Sequence, residues 1–455
     1  MRTSLNVWCS YSRLFLLRPP LSKIKPKAYN FGTLRHKLSL QLSAASLPLP
    51  YKTQLCGCFN GTQSTNFSEV SLVSSCSRMF STEQGMQNQN PPSKKSTYFQ
   101  IIFLHLDLDC VQPRARILVS IMAQKLAEKV LLWLVASFYG LYTLYDLMSR
   151  IFKIGFKKLF HWKVTEKPAC LDDECLGTHG YLHLEDVRIH YVASGPEDKP
   201  LMLFMHGFPE FWFSWRHQIK EFQKDYRVVA FDMRGYNKSD KPTGLAAYSL
   251  HKLMADVKQV ILALGYKSCI LVAHDWGGGI AWAFGRLYPD FVDKLIIMNA
   301  PPGTIFQKLI KRDANQRKMS WYMFFFQLPF LPELMLRVQN FNRIEEIFKT
   351  TGMNQEEVNA YKHVFSQPGA LTPPLNYYRS GLQRVGGAVS YDLNYAMPVL
   401  LIWGCADVAL STAIPDAVEK ENPKIAVRRI QNANHFVQNN DPKAVNKIMR
   451  EWLNE

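Results

Sequence analysis

Asp275 is the residue whose setting most directly suggests chemistry. It stands in Cys269-Ile-Leu-Val-Ala-His-Asp-Trp-Gly-Gly-Gly279, where a run of strand formers gives way to glycines and then to an alanine-rich amphipathic stretch, 280–288. That order predicts strand, sharp turn and helix, with small residues at Ala273 and Gly277 flanking the central aspartate. Such a turn holds its central residue in a strained conformation that only small neighbours permit, and it presents the side chain as a nucleophile. Serine or cysteine is more usual there. A carboxylate suits attack on a saturated carbon, which leaves an alkyl ester on the side chain. The simpler alternative makes Asp275 the N-cap of the following helix, but a cap does not require His274, Trp276 and the glycines around it.

The elements that must hold this turn are readable in order. Residues 181–184 and 187–193 alternate like the arms of a hairpin joined by a short Glu-Asp turn. Residues 201–205 form a continuous apolar run, as a buried parallel strand does, and end in His206-Gly-Phe-Pro209. Residues 226–231 repeat the pattern and end in Asp232-Met-Arg-Gly-Tyr236. An amphipathic helix over 249–264 leads into the strand 268–273 and the turn, and 294–298, 399–403 and 425–430 read as further buried strands. Strands alternating with helices predict an α/β fold with a mostly parallel sheet covered on both faces. Between 301 and 392 the pattern is helical and contains no buried-strand run, which predicts a helical cap inserted between two strands.

Charge divides the chain. Residues 1–121 hold 14 Lys+Arg against 4 Asp+Glu, so 10 of the net +17 comes from this first part. The remainder lacks the basic clusters interleaved with aromatics that would mark a nucleic-acid surface, so no nucleic-acid partner is expected. The nine cysteines are scattered and odd in number, which argues against a disulfide framework, and they suggest no metal site. No acidic residue precedes Glu69, while nine Lys or Arg do. That composition resembles a mitochondrial transit peptide, although a disordered leader has the same look, above all over the Asn/Gln/Ser-rich 81–96.

From Met122 the text changes. An uncharged run over 130–145 is closed by Asp146 and followed by Arg150, Lys153, Lys157 and Lys158. Extended through 148, it approaches the ~20 residues of a spanning helix, with Trp133, Tyr139, Tyr142 and Tyr145 suited to the interfaces. The expectation is a single-pass anchor across a membrane such as the endoplasmic reticulum, with a surface-lying or buried helix as the alternative. The flanking charges lean only weakly towards a cytosolic C-terminal domain. The expected organisation is a leader at 1–121, an anchor at 122–150, a basic linker at 151–176, a core in two parts at 177–300 and 393–455, and the cap at 301–392.

Taken together, residues 177–455 resemble the α/β-hydrolase-fold epoxide hydrolases. The anchor and His206-Gly-Phe-Pro-Glu-Phe-Trp-Phe-Ser-Trp-Arg216 are most similar to the membrane-anchored animal members, the epoxide hydrolase 3 and 4 subgroup. The resemblance implies an α/β-hydrolase fold and an enzyme that needs water and no cofactor or metal. It makes Asp275 the nucleophile, His435 in Asn432-Ala-Asn-His-Phe436 the base, and Asp407 in Gly404-Cys-Ala-Asp-Val408 its orienting acid, with Asp392 a nearby alternative. The order nucleophile, acid, histidine fits the fold. It also implies an oxyanion hole from the backbone N–H groups of Phe208 and Trp276 and a cis peptide before Pro209. Two cap tyrosines, Tyr322 and Tyr378, would steady the opening ring as neutral phenols, Tyr377 being the residue most easily confused with Tyr378. The aromatic segment 321–326 and the anchor favour lipophilic epoxides, such as those of fatty acids.

Two positions depart from the family pattern. Asn299-Ala-Pro-Pro302 has proline where histidine is usual, and Phe436 follows His435 where tryptophan is common, which leaves substrate contacts open. A haloalkane dehalogenase would use the same aspartate, acid and histidine without the tyrosines and with a halide-binding side chain after His-Gly, which Phe208 is not. A non-catalytic, ligand-binding membrane protein of the same fold should have lost one of the five catalytic positions, and none is lost.

Overall fold

A computed structural model describes residues 113–455, with side chains from residue 119. The expected leader and its transit-peptide composition lie, up to residue 112, outside the described residues.

Eight strands form a single sheet in the order β1-β2-β4-β3-β5-β6-β7-β8. The hairpin of β1 (Thr178–His183) and β2 (Arg188–Ser194) is antiparallel, β2 pairs antiparallel with β4 (Arg227–Phe231), and every later pairing is parallel. The central strands β3 (Leu201–Met205), β5 (Cys269–His274) and β7 (Val399–Gly404) are buried at every residue. Their sequences can therefore be apolar throughout instead of alternating, because helices cover both faces. β6 (Val292–Met298) lies beside β5, and β8 (Ala426–Ile430) ends the sheet.

The covering helices carry their apolar residues on one stripe. In α3 (Leu250–Ala263) the buried residues Leu253, Met254, Val257, Val260 and Ile261 recur at the three- and four-residue spacing of a helix face. With α2 (Arg216–Phe222), α4 (Asp275–Leu287), α11 (Ala413–Glu421) and α12 (Pro442–Leu453), these helices close the core.

The expected cap is present between β6 and β7. It consists of α5 (Gly303–Arg312), α6 (Ala314–Met319), α7 (Trp321–Phe325), α8 (Leu331–Phe348), α9 (Gln355–Ser366) and α10 (Thr372–Gln383). α9 starts at a reciprocal capping box in which Asn354 and Glu357 satisfy each other's backbone N–H. α8 is broken internally. Gln339, Asn340 and Phe341 have φ of 54°, 56° and 61°, in the left-handed region.

The apolar segment before the domain is one helix, α1 (Pro113–Ile154), which runs without a break through Met122 and past residue 150. Within it Val119–Ile154 is long and apolar enough to cross a membrane. Asp146, inside the apolar text, is paired with Arg150 at 2.8 Å and Arg343 at 3.6 Å. Within 151–176, the expected basic linker, Leu159, Leu171 and Leu176 are buried.

Candidate active site

The strand ends carry the chemistry. β5 delivers Asp275 at φ 48°, a left-handed conformation that costs a non-glycine residue ~1–2 kcal/mol. Its surroundings have been emptied to admit it. A Cβ on Gly277 would sit 2.6 Å from the carbonyl oxygens of Met205 and His206, and one on Gly207 would sit 2.4 Å from the Cβ of Asp275. The loop after β3 therefore runs against Asp275. From that loop the backbone N–H of Phe208 donates to Asp275 Oδ1 at 2.8 Å, and the Phe208–Pro209 peptide is cis, as the resemblance implied. Trp276, whose amide is the other expected oxyanion donor, is the second residue of α4, directly after Asp275.

His435, after β8, places Nε2 3.4 Å from Asp275 Oδ2 and Nδ1 2.7 Å from Asp407 Oδ2. Asp407, after β7, is held from several sides. The N–H groups of Ala409 and Leu410 donate to Oδ1 at 2.7 and 3.0 Å, and the Asn299 amide donates to Oδ2 at 2.8 Å. The alternative acid, Asp392, lies at the surface and pairs with Arg286 at 2.6 Å.

The charges of this trio depend on one another. Burial alone would raise the Asp275 carboxyl, but the hydrogen bond and charge of His435 outweigh it, and the net shift is below the ordinary carboxylate value. Asp407 is lowered in the same way, with burial opposed first by the charge of His435. For His435 burial acts downward, and the Asp407 charge together with the hydrogen bonds to Asp275 and Asp407 carries it well above the usual imidazole value. The resting trio is therefore an imidazolium between two carboxylates.

Tyr322 on α7 and Tyr378 on α10 come together from different cap helices, with ring centroids 5.9 Å apart. The Tyr378 ring also lies 5.4 Å from Phe208, 5.0 Å from Trp276 and 5.0 Å from Phe326. Burial first, and then the Asp275 charge, push both phenols well above their usual range, so both keep their protons. Tyr377 turns away and donates to the carbonyl of Arg234 at 2.7 Å. The Asp275 side chain retains 14% of its accessible surface, so water reaches it beneath the cap.

Three buried residues near the trio were not singled out from sequence. Glu210 accepts from the Gly207 N–H at 2.9 Å and from Gln438 at 2.9 Å, and it faces His274 Nδ1 at 2.6 Å. His274 Nε2 in turn faces the His435 carbonyl at 2.8 Å. This chain ties the loop after β3 to the loop that carries His435. Asn299, at φ 36°, bridges Asp407 and the Gly404 N–H. Glu210 and His274 both lie inside the motifs quoted above, but their partner is visible only once the strands are side by side.

A sheet of this order, an acid turn after β5, and an acid and a histidine after β7 and β8 define an α/β hydrolase with a helical cap. The family model described as alpha/beta hydrolase fold matches residues 200–442, and the chain belongs to that family, in its epoxide hydrolase group. It is 40% identical over 305 residues to epoxide hydrolase 4 of Mus musculus, covering 63% of this chain and 83% of that one. It is 42% identical over 322 residues to epoxide hydrolase 1 of Caenorhabditis elegans, covering 68% and 78%. Among solved structures, an epoxide hydrolase from Bacillus megaterium in complex with an inhibitor matches at 37% identity and a TM-score of 0.56, over 61% of this chain and all of that one.

Proposed function

We propose that this epoxide hydrolase converts lipophilic epoxides, such as those of fatty acids, to vicinal diols through an ester on Asp275, while α1 holds it to a membrane. The observation that carries the reading is the setting of the Asp275 carboxyl. One oxygen is engaged by the Phe208 N–H, the other is beside His435, and two buried, protonated phenols sense its charge.

In the first step Asp275 Oδ2 bonds to an epoxide carbon and the ring C–O bond breaks. The electron pair goes to the ring oxygen, which takes a proton from Tyr322 or Tyr378. Between the steps the His435 imidazolium gives up its proton and the phenolate regains one, through solvent. In the second step neutral His435 takes a proton from water, and the water oxygen adds to the Asp275 carboxyl carbon. Charge gathers on Oδ1, where the N–H groups of Phe208 and Trp276 stabilise it. Collapse expels the diol with the oxygen that was Oδ2, the proton on His435 goes to that leaving oxygen, and the remaining water proton passes from the Asp275 carboxyl to His435, which restores the carboxylate and the imidazolium. Epoxide and water are consumed and a diol is released. Lipophilic substrates are supported by the rings of Phe208, Trp276 and Phe326 around Tyr378.

Purified full-length protein is expected to convert trans-stilbene oxide or an epoxy fatty acid to the diol, and Asp275→Ala to abolish this. In a single turnover in water enriched in heavy oxygen, the first diol should carry its new oxygen from the protein. Wild-type-like turnover by the Asp275→Ala protein, or solvent oxygen in that first diol, would sink the mechanism.

A further inference from the structure

α1 has two faces, and only one of them is free for lipid. Ala136, Gly140, Thr143 and Leu147 are buried at helical spacing, while Phe138, Leu141, Tyr145 and Phe152 on the other side are exposed. The buried face lies on the cap. A Cβ on Gly140 would come within 2.5 Å of Leu328 Cδ1, and the Tyr139 ring sits 5.8 Å from that of Trp321, the neighbour of Tyr322.

The stretch 326–328 touched in this way links the two phenol-bearing helices. The guanidinium of Arg379, next to Tyr378, donates from Nε to the Phe326 carbonyl at 2.9 Å and from Nη2 to the Leu328 carbonyl at 2.8 Å. The Gln327 amide donates to the Tyr378 carbonyl at 3.1 Å. Beyond this stretch, the end of α1 and the segment after it grip the left-handed break of α8. Arg150 donates to the Gln339 side chain at 3.0 Å, the Asn340 N–H to the His161 carbonyl at 3.1 Å, and the Lys163 N–H to Asn340 Oδ1 at 3.1 Å. None of Gln339, Asn340 and Phe341 is glycine, so that backbone has to be held from outside.

We infer that α1 is part of the catalytic apparatus as well as a tether, with Tyr139 and Gly140 acting as positioning residues that seat residues 326–328 and through them Tyr322 and Tyr378 above Asp275. The inference rests on the two-step reaction above. It assigns α1 to ring opening alone, because the second step runs on His435 and Asp407, which are mounted on the sheet and not on the cap.

The test separates the two steps in the full-length, detergent-solubilised protein. The rate at which ester forms on Asp275 from trans-stilbene oxide is followed by rapid quench and intact mass, and the rate of its decay is followed after substrate is exhausted. Gly140→Leu, which drives a side chain into Leu328, should slow ester formation by up to ~10²-fold, as a misplacement on the order of an ångström does, and leave decay unchanged. Adding Leu328→Ala should restore ester formation. Tyr139→Ala, which only removes the contact with Trp321, should slow the same step to a smaller extent. Leu141→Ala, on the outward face, should alter neither. Wild-type ester formation in both Gly140→Leu and Tyr139→Ala overturns the inference, as does an equal loss in both steps that Leu328→Ala does not rescue. If the wild-type protein itself accumulates no ester, the reaction mechanism is what fails, and the two outcomes are distinguishable.

Discussion

In the proposed reaction His435 has to change its charge between the two steps, and its neighbours explain how. In the resting site, burial pulls its pKa down while Asp407 and Asp275 carry it well above the ordinary value, so it begins as a cation, which cannot act as a base. Forming the ester makes Asp275 neutral and removes one of those two supporting charges. The His435 pKa then falls, and the base needed for the second step is produced by the first. The two steps should therefore respond to pH differently. Ester formation needs ionised Asp275, whose pKa is lowered. Its rate should stay flat through the neutral range and drop only on the acid side of the ordinary carboxylate value. Ester decay should rise with pH as His435 gives up its proton. Stopped-flow traces of both steps across pH check this, and a decay rate that falls as pH rises would contradict it. Asp407→Gln removes the other supporting charge, and decay is expected to fall by ~10²-fold or more, the scale of general-base catalysis.

At the level of elements, the approach of the β3 loop to Asp275 is a tight constraint. Gly207→Ala puts a methyl group where the Asp275 Cβ already stands. It should cost on the order of 100-fold in kcat, the scale of an ångström's misplacement, measured as diol formation at saturating substrate. Activity like the wild type would mean that the loop moves freely. The strands of this site were readable from sequence because a parallel strand buried on both faces is a continuous apolar run, and residues 201–205 match β3 to the residue. The others differ by one to three residues at their ends, where hydrogen bonding and apolar pattern stop at different places. The break in α8 was not readable. Val338-Gln-Asn-Phe341 contains neither glycine nor proline, and its conformation is imposed by α1 and the segment after it. Glu210 and His274 were overlooked for a related reason, since the contacts that define them span 64 and 161 residues.

For the whole molecule the proposed anchoring turns on how α1 would meet a bilayer. At 1.5 Å per residue its 42 residues extend ~60 Å, about twice a hydrocarbon core of ~30 Å. Its C-terminal half rests on the cap along one face, so lipid can reach only the other face there. A photoactivatable lipid probe should label Phe138, Leu141 and Phe152 and spare Thr143 and Leu147. Equal labelling of both faces would show that the helix leaves the cap in the membrane. The protein should remain with membranes through an alkaline carbonate wash. Release by that wash would contradict insertion.

The short hydrogen bond from the Phe208 N–H to Asp275 Oδ1 also sorts the two carboxylate oxygens by age. In the proposed cycle the bonded oxygen would stay with the protein, while its partner would leave in the diol and be replaced from water each time. After many turnovers in heavy-oxygen water, the peptide containing Asp275 should carry one heavy oxygen and not two. One atom of the nucleophile would then date from the synthesis of the chain and the other from the latest catalytic cycle.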